Sequence, residues 1–497
     1  MRRLGQRIAS EPRLGALVVL LVGLAVFLPR LGADGLARTE GHRVIPGWET
    51  LDRLAAGAPA REALLVPVMF ERPYLRKPQA MVWAEAASAA VFGKTEWSAR
   101  LVGAASSIGL ALAGFAFALR WFGPAAGLAG GLAVALAPWL WQSGRSAQIE
   151  PLLTLFAAVA ALLTVDLLVR PRSGSALLRG LLLGAAMAGA ALAKGPGAAP
   201  VFAGAIAGGL IAGPPGWRRL WPVALGALVA GVVVAVVWSA TAIAVQEIGR
   251  APVTESVGKF LWDPERRAQT AALPLAVLIA SLPVSLALPQ AWSRTEDRDG
   301  GAIARTLGWG AVISIVLYAL AGVSNVRYTM PVIALLAPLV GWGVHNGRTA
   351  ARGSLGWVYH RLVTRPSPLW LCALLVGSQV WIWGIEPARD GRSGRAAGLE
   401  LGAALPAGAE VWADHLIEAV PETLWYAASA PRPGPPIRPV WGDVRPGANP
   451  PAGVFLALRT DVLSDEGRVW EQAGGFPGPV VHEGRVRLYR FVIVRVQ

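Results

Sequence analysis

Long apolar runs, separated by one long polar stretch and otherwise by shorter polar gaps, recur along the chain from residue 14 to residue 385. A membrane-spanning helix needs about 17–25 mostly apolar residues. On that measure the pattern predicts about eleven spans: residues 14–29, 101–119, 124–142, 151–169, 177–192, 197–211, 220–245, 271–291, 303–321, 330–344 and 368–385. A signal peptide is the alternative for the first run, which is short and follows a basic flank. No small-x-small cleavage site follows it, and a retained anchor is the reading adopted. A long polar stretch, residues 31–97, follows that run. Within it residues 78–92 (PQAMVWAEAASAAVF) form an apolar helix with Glu85 at its middle. It is too short to span and is read as lying at the membrane interface.

The pattern changes after Glu386, with no later run long enough to span. Residues 410–414, 454–459 and 486–496 read as strands, the last by its alternation (VRLYRFVIVRV). Residues 418–430 read as a helix, and the Pro-rich segment 431–451 as a loop. The expected fold class is a polytopic α-helical membrane protein with a small C-terminal α/β domain. The expected division is a membrane module over 1–386, with 31–97 as its first outer loop, and an extracytoplasmic domain over 387–497.

Composition supports the membrane reading. Of 497 residues, 54% are hydrophobic and 15% charged, against about 25% charged in soluble proteins. That composition excludes general disorder. The lone cysteine, Cys372, excludes a disulfide scaffold. The net charge is +15, from 46 Lys and Arg against 31 Asp and Glu. Its placement argues against nucleic acid, because no basic helix with interleaved aromatics occurs. Instead, basic residues recur in alternate gaps: Arg120; Arg170, Arg172 and Arg179; Arg218 and Arg219; Arg294, Arg298 and Arg305; Arg348, Arg352, Arg361 and Arg365. The other short gaps hold Arg145, Lys194 and Arg327. Positive charge marks cytoplasmic loops, so the N-terminus is expected inside and the C-terminal domain outside. Counting residues 78–92 as a span would invert every later loop and destroy this bias.

The chemistry is expected on the outer face, which gathers Glu40, Arg43, Glu71, Arg76, Lys77, Arg145, Glu150, Lys194, Lys259, Arg266, Arg267 and Arg327. Charge near a bilayer core costs roughly 2.5–3.5 kcal/mol on insertion scales, and both signs together suit an anionic lipid headgroup plus a polar second substrate. The five histidines are scattered without zinc spacing. No Walker A or GxGxxG pattern indicates ATP or a dinucleotide. Tryptophans near helix ends read as an interfacial belt.

One ordered series of short segments carries a resemblance. It comprises ARTEGHRVI (37–45), PYLRKPQAMVW (73–83), FGKTEWSARL (92–101), QIEPLLTLF (148–156), LAKGP (192–196) and RYTMP (327–331). The series resembles the GT-C class of membrane glycosyltransferases, over about residues 1–345. The nearest branch is the bacterial one that includes the aminoarabinose transferase of lipid A; protein O-mannosyltransferases are more distant. The resemblance implies a GT-C-like bundle with interfacial helices in its first outer loop. It also implies an inverting glycosyltransferase at the periplasmic face of a bacterial inner membrane. The donor would be a polyprenyl-phosphate sugar and the acceptor a lipid, a glycan or a protein. By matching position, Lys77, Lys194, Arg327 and Tyr328 would bind the donor phosphate. Glu40, then Glu150, would be the catalytic base, with Thr39, Arg43, Arg76 and Lys259 as further substrate contacts. The family's Asp-Glu is Thr39-Glu40 here. Some GT-C enzymes use a divalent ion, but the acids here are too sparse to assign one, and no other cofactor is implied. Two other readings remain. One is a transporter of lipid-linked sugar, for which inverted repeats are expected and not visible. The other is a catalytically degenerate member, which Thr39 supports.

Overall fold

The computed structural model describes residues 10–37, 39–169, 176–213, 217–249, 253–254, 270–349, 352–353, 355–365, 367–387, 393–448, 450–461, 466–486 and 488–497. The first apolar run is α1 (Pro12–Phe27). The polar stretch after it folds into α2 (Gly41–Ala55), α3 (Ala60–Leu65), a hairpin of β1 (Val68–Met69) and β2 (Arg72–Leu75), and α4 (Ala80–Phe92). At 13 residues, α4 rises about 20 Å, less than the ~30 Å of a bilayer core. It buries Glu85 against Gly47 of α2, where a β-carbon would lie 2.6 Å from the Glu85 Cβ.

The bundle follows with α5 (Glu96–Phe122), α6 (Pro124–Ala135), α7 (Pro138–Ser143), α8 (Ile149–Val169), α9 (Ala176–Lys194), α10 (Ala199–Ala212) and α11 (Trp217–Ile248). Strand β3 (Val253–Thr254) pairs parallel with β2. Next come α12 (Leu273–Ala280), α13 (Arg298–Leu320), α14 (Ile333–Thr349), α15 (Leu355–Tyr359) and α16 (Ser367–Val380). Each of the predicted runs appears as a helix or a helix pair. Among the described residues six helical stretches are long and apolar enough to cross a membrane. A seventh is α12 joined to the 3₁₀ segment Val284–Trp292, bent by 109° between its halves.

One of the six, Ala176–Ala212, is long enough to count as a single span but doubles back. Arg179 in α9 meets Asp166 near the end of α8 (3.0 Å), and Lys194 meets Glu150 near its start (2.7 Å). Gly209 of α10 then returns to the side of Leu168. The reversal follows from Lys-Gly-Pro. Gly195 takes φ +57°, the left-handed conformation that ends helices, and proline cannot continue one.

The C-terminal segment forms α17 (Arg395–Ala404) and a five-stranded sheet of order β5-β4-β6-β8-β7. In chain order it holds β4 (Glu410–Ala413), α18 (His415–Ala419), α19 (Pro421–Ala428), β5 (Arg438–Trp441), β6 (Phe455–Arg459), α20 (Glu466–Gln472), β7 (Val480–Val486) and β8 (Tyr489–Arg495). Three expectations are corrected here. The segment 486–496 is not one strand: it breaks after Val486, and β7 and β8 pair antiparallel. The helix expected over 418–430 is two, because Pro421 restarts it at a position where its missing N–H is harmless. The Pro-rich loop holds β5, which is an edge strand, where Pro439 removes no ladder bond that a central strand would need.

The sheet's core includes Ile45, Met69, Phe70 and Tyr74 beside its own Val411, Leu416 and Phe491. The proposed division at residue 386 is therefore one of sequence, with a core shared across it.

Candidate functional site

Two buried glutamates organise the end of the bundle that carries the 31–97 stretch. Glu40 precedes α2 and is 3% exposed. Its Oε1 accepts from Arg100 Nε (3.0 Å) and the Ala147 N–H (2.9 Å). Its Oε2 accepts from Arg100 Nη2 (2.9 Å) and the Ala37 N–H (2.8 Å). Arg100 spends its remaining donors on the carbonyls of Leu31, Asp34 and Gly35 (2.8–3.0 Å). It sits one turn into α5, whose start is fixed by a capping box between Thr95 and Ser98. Burial raises the Glu40 pKa, but Arg100 and the two N–H donors win and hold it below the ordinary carboxylate value. The carboxylate expected as the base is thus engaged on both oxygens, and it pins the entry of the first loop to α5.

Glu150, in the first turn of α8 and 3% exposed, has different company. Its Oε1 contacts Lys194 Nζ at 2.7 Å and Arg327 Nε at 3.4 Å. Lys194 Nζ lies 3.5 Å from the centroid of the Tyr328 ring, and the Arg327 guanidinium 5.3 Å from it. Both geometries fit cation–π attraction. Gln148 Oε1 accepts from Thr39 Oγ1 (3.0 Å) and from Arg327 Nη1 (3.5 Å). Arg43 lies within electrostatic reach of Glu150, Tyr328 and Arg327, and Lys77 of Arg43, Lys194, Arg76 and Glu150. Among the described residues the buried Nε–H of Arg43 has no hydrogen-bond acceptor, and that of Arg327, although 3.4 Å from Glu150 Oε1, is not aimed to hydrogen-bond it. A buried unpaired donor is costly, by about 1–3 kcal/mol and more when charged, and an anion placed between these groups would relieve it.

The hairpin β1–β2 delivers Tyr74, Arg76 and Lys77 to this cluster. Met69 pairs with Arg72, leaving the two-residue turn Phe70-Glu71, with φ +51° and +65°. Such turns favour Asn-Gly, because both central residues need positive φ. Here the sheet unit holds the strained pair. Phe70 is buried in its core, and Arg438 grips Glu71 with two bonds of 2.9 and 2.7 Å. Lys77 is pushed down to about 8, first by burial and then by Arg43, Lys194 and Arg76, against the pull of Glu150.

A cavity of about 150 Å³ opens beside the cluster and shares Gln148 and Arg327 with it. Its other charged walls are paired, Arg100 with Glu40 (2.9 Å), Arg145 with Glu386 (2.8 Å) and, more loosely, Arg30 with Asp34 (3.9 Å). The structure thus gathers Thr39, Arg43, Arg76, Lys77, Glu150, Lys194, Arg327 and Tyr328 and leaves Glu40 in the adjoining pair. Lys259, Arg266 and Arg267 lie outside the described residues. Sequence reasoning missed Arg100, Gln148 and the buried pair His42 and Tyr74, whose Nδ1 and hydroxyl lie 2.8 Å apart. Among the described residues no group of three or more His, Cys, Asp or Glu could hold a metal ion.

Residues 76–241 match the family described as dolichyl-phosphate-mannose-protein mannosyltransferase. Two solved structures share the overall fold. ArnT from Cupriavidus metallidurans bound to undecaprenyl phosphate superposes at TM-score 0.67 and 19% identity, over 96% of this chain and 97% of that one. The same protein in the apo state gives TM-score 0.68 and 18% identity, over 99% and 98%. No curated protein matches in sequence. The resemblance to GT-C class membrane glycosyltransferases is borne out at the level of the fold.

Proposed function

We propose that this chain is an inverting glycosyltransferase of the bacterial inner membrane, moving a sugar from a polyprenyl-phosphate donor to an acceptor at the periplasmic face. The observation that carries the reading is the charge imbalance around Glu150 among the described residues: five cations, two of them with a buried Nε–H that makes no hydrogen bond there, gathered around one contacting carboxylate. The bound lipid of the ArnT structure is an anion of the class such a cluster fits.

The acceptor oxygen would attack the anomeric carbon on the face opposite the phosphate. The bond from that carbon to the phosphate oxygen would break, and its electron pair would leave with the polyprenyl phosphate. Lys194 and Arg327, oriented by Glu150, would stabilise the departing charge, with Arg43, Arg76 and Lys77 around it. Preorganised charge of this kind is often the largest catalytic term, about 10²–10³ per donor. For a hydroxyl acceptor Glu150 would be the base that takes its proton; an acceptor that is itself a phosphate would need no base. The neighbouring cavity, its flanking arginines paired, suits the neutral hydroxyl-bearing part of a substrate. Thr39 favours a second reading, a degenerate member that binds the lipid-linked sugar without transferring it.

A transfer assay separates the two. Purified protein in lipid is given a panel of radiolabelled polyprenyl-phosphate sugars with total membrane extract as acceptor. Labelled product from the native protein, absent with a folded Lys77→Ala variant, is expected. Equal product from both would remove the phosphate site from the reaction, and binding without product would favour the degenerate reading.

A further inference from the structure

We infer that Gln148 reads the sugar of the donor: its carboxamide oxygen is held toward the phosphate site, and its two N–H groups meet a neutral, hydroxyl-bearing sugar in the adjoining cavity. The inference rests on the reading of the cluster as a polyprenyl-phosphate site. It adds where the sugar lies and which residue contacts it.

Chemistry fixes which way the amide faces. Gln148 closes the turn before α8, where its backbone N–H donates to the Ser146 carbonyl (2.7 Å). From there its side chain meets one residue of the first loop and one that shortly precedes α14. Oε1 lies 3.0 Å from Thr39 Oγ1 and 3.5 Å from Arg327 Nη1. A guanidinium only donates, so the atom turned toward Arg327 is the carbonyl oxygen and not the nitrogen. The Thr39 hydroxyl donates to the same oxygen. Nε2 is left on the other branch of the planar group with two N–H donors, and it has no acceptor among the described residues. Gln148 is only 5% exposed. An amide donor left unpaired in so enclosed a place is costly, and an oxygen atom from a ligand would relieve it.

The cavity supplies the place. Gln148 and Arg327 line the space of about 150 Å³ together, and Arg327 also touches Glu150 (3.4 Å) inside the cation cluster. These two side chains therefore form the threshold between cluster and cavity. A phosphate held among the cations puts the group it esterifies at that threshold, through a single bridging oxygen. In a polyprenyl-phosphate sugar that group is the sugar. The rest of the lining fits one too. Ser143, Ser146 and Ser393 add hydroxyls, and a sugar ring can accept from an amide N–H while donating its own O–H groups to such oxygens. A second anion finds less there, because Arg100, Arg145 and Arg30 are already engaged by carboxylates.

Binding of two lipids to the full chain in nanodiscs tests the contact, with thermal unfolding followed in parallel. One lipid is undecaprenyl phosphate. The other is the undecaprenyl-phosphate sugar that the native protein binds most tightly from a panel of hexose and pentose donors. Gln148→Met keeps the length of the side chain and removes both amide functions. It should weaken binding of the sugar-bearing lipid about three- to tenfold more than that of undecaprenyl phosphate, the usual scale of a hydrogen bond. Gln148→Asn, still polar but a methylene shorter, guards against a folding defect in the first variant and should show the same selective loss. A monodeoxy donor lacking the hydroxyl that Gln148 meets should bind the native protein more weakly, and Gln148→Met should no longer distinguish it from the complete donor. Equal losses for the two lipids would make Gln148 only a support for Arg327 and overturn the inference. So would unchanged binding of both, or native binding of undecaprenyl phosphate but of no sugar-bearing lipid. Each of these leaves the phosphate site standing, whereas a native protein that binds neither lipid would overturn that reading as well.

Discussion

Glu40 and Glu150 sit at the same end of one bundle, equally buried, and have opposite electrostatic surroundings. Glu40 meets one arginine in a two-pronged pair, and backbone N–H groups fill its remaining lone pairs. Glu150 meets two cations directly, with more behind them and donors to spare. A buried pair that balances charge and saturates its hydrogen bonds has nothing left for a ligand; it fixes one chain segment against another. A buried carboxylate outnumbered by cations leaves a net positive field in a place of low dielectric, where an anion gains most. The family-matched residues fall on both sides of this contrast, so residue type alone did not separate architecture from site.

The largest effect expected is on the architectural side. Arg100→Ala would leave Glu40 charged and buried without its partner, a loss of about 3–5 kcal/mol of stability. Thermal unfolding in detergent checks it, and a loss below about 1 kcal/mol would break the contrast. A smaller effect is expected on the site side. The Lys77 ammonium, lowered to about 8, is fully charged below that pH and loses its charge as pH rises through it. Affinity for undecaprenyl phosphate should therefore fall above pH 8, by at most about tenfold per pH unit. Lys77→Arg, which stays charged, should flatten the profile. Titration of binding between pH 7 and pH 9.5 reads both. The smallest effect is expected from Thr39→Asp. The new carboxylate would face Gln148 and Arg327 and compete with the phosphate, lowering affinity about two- to threefold at the exposed scale of ion pairs. A gain of sugar transfer by this variant over an inactive native protein would sharpen the comparison differently, by making Thr39 the missing catalytic position.

Much of the bundle was legible because hydropathy and the need to satisfy backbone groups in a membrane leave few options. The runs, the Lys-Gly-Pro reversal and the charge gathered at one end all follow from local sequence. What was hidden depends on distant partners. Arg100 reads as an ordinary residue near the start of a helix, and only folding brings it to Glu40, 60 positions earlier. His42 seemed isolated because no second histidine is near, yet its partners are a tyrosine and a carbonyl from the other end of the chain. The turn at Phe70-Glu71 carries no Asn-Gly signal, since the sheet unit rather than local propensity stabilises it. Strand β5 was masked by prolines that an edge position tolerates.

The most direct test of the central claim is equilibrium binding of radiolabelled undecaprenyl phosphate to the native protein and to Lys194→Ala, both in nanodiscs and both checked for folding. Lys194 touches Glu150 and the Tyr328 ring at once, so its loss removes charge from the middle of the cluster. The account predicts saturable binding by the native protein, weakened at least about tenfold in the variant. Equal affinity in the two proteins would contradict it.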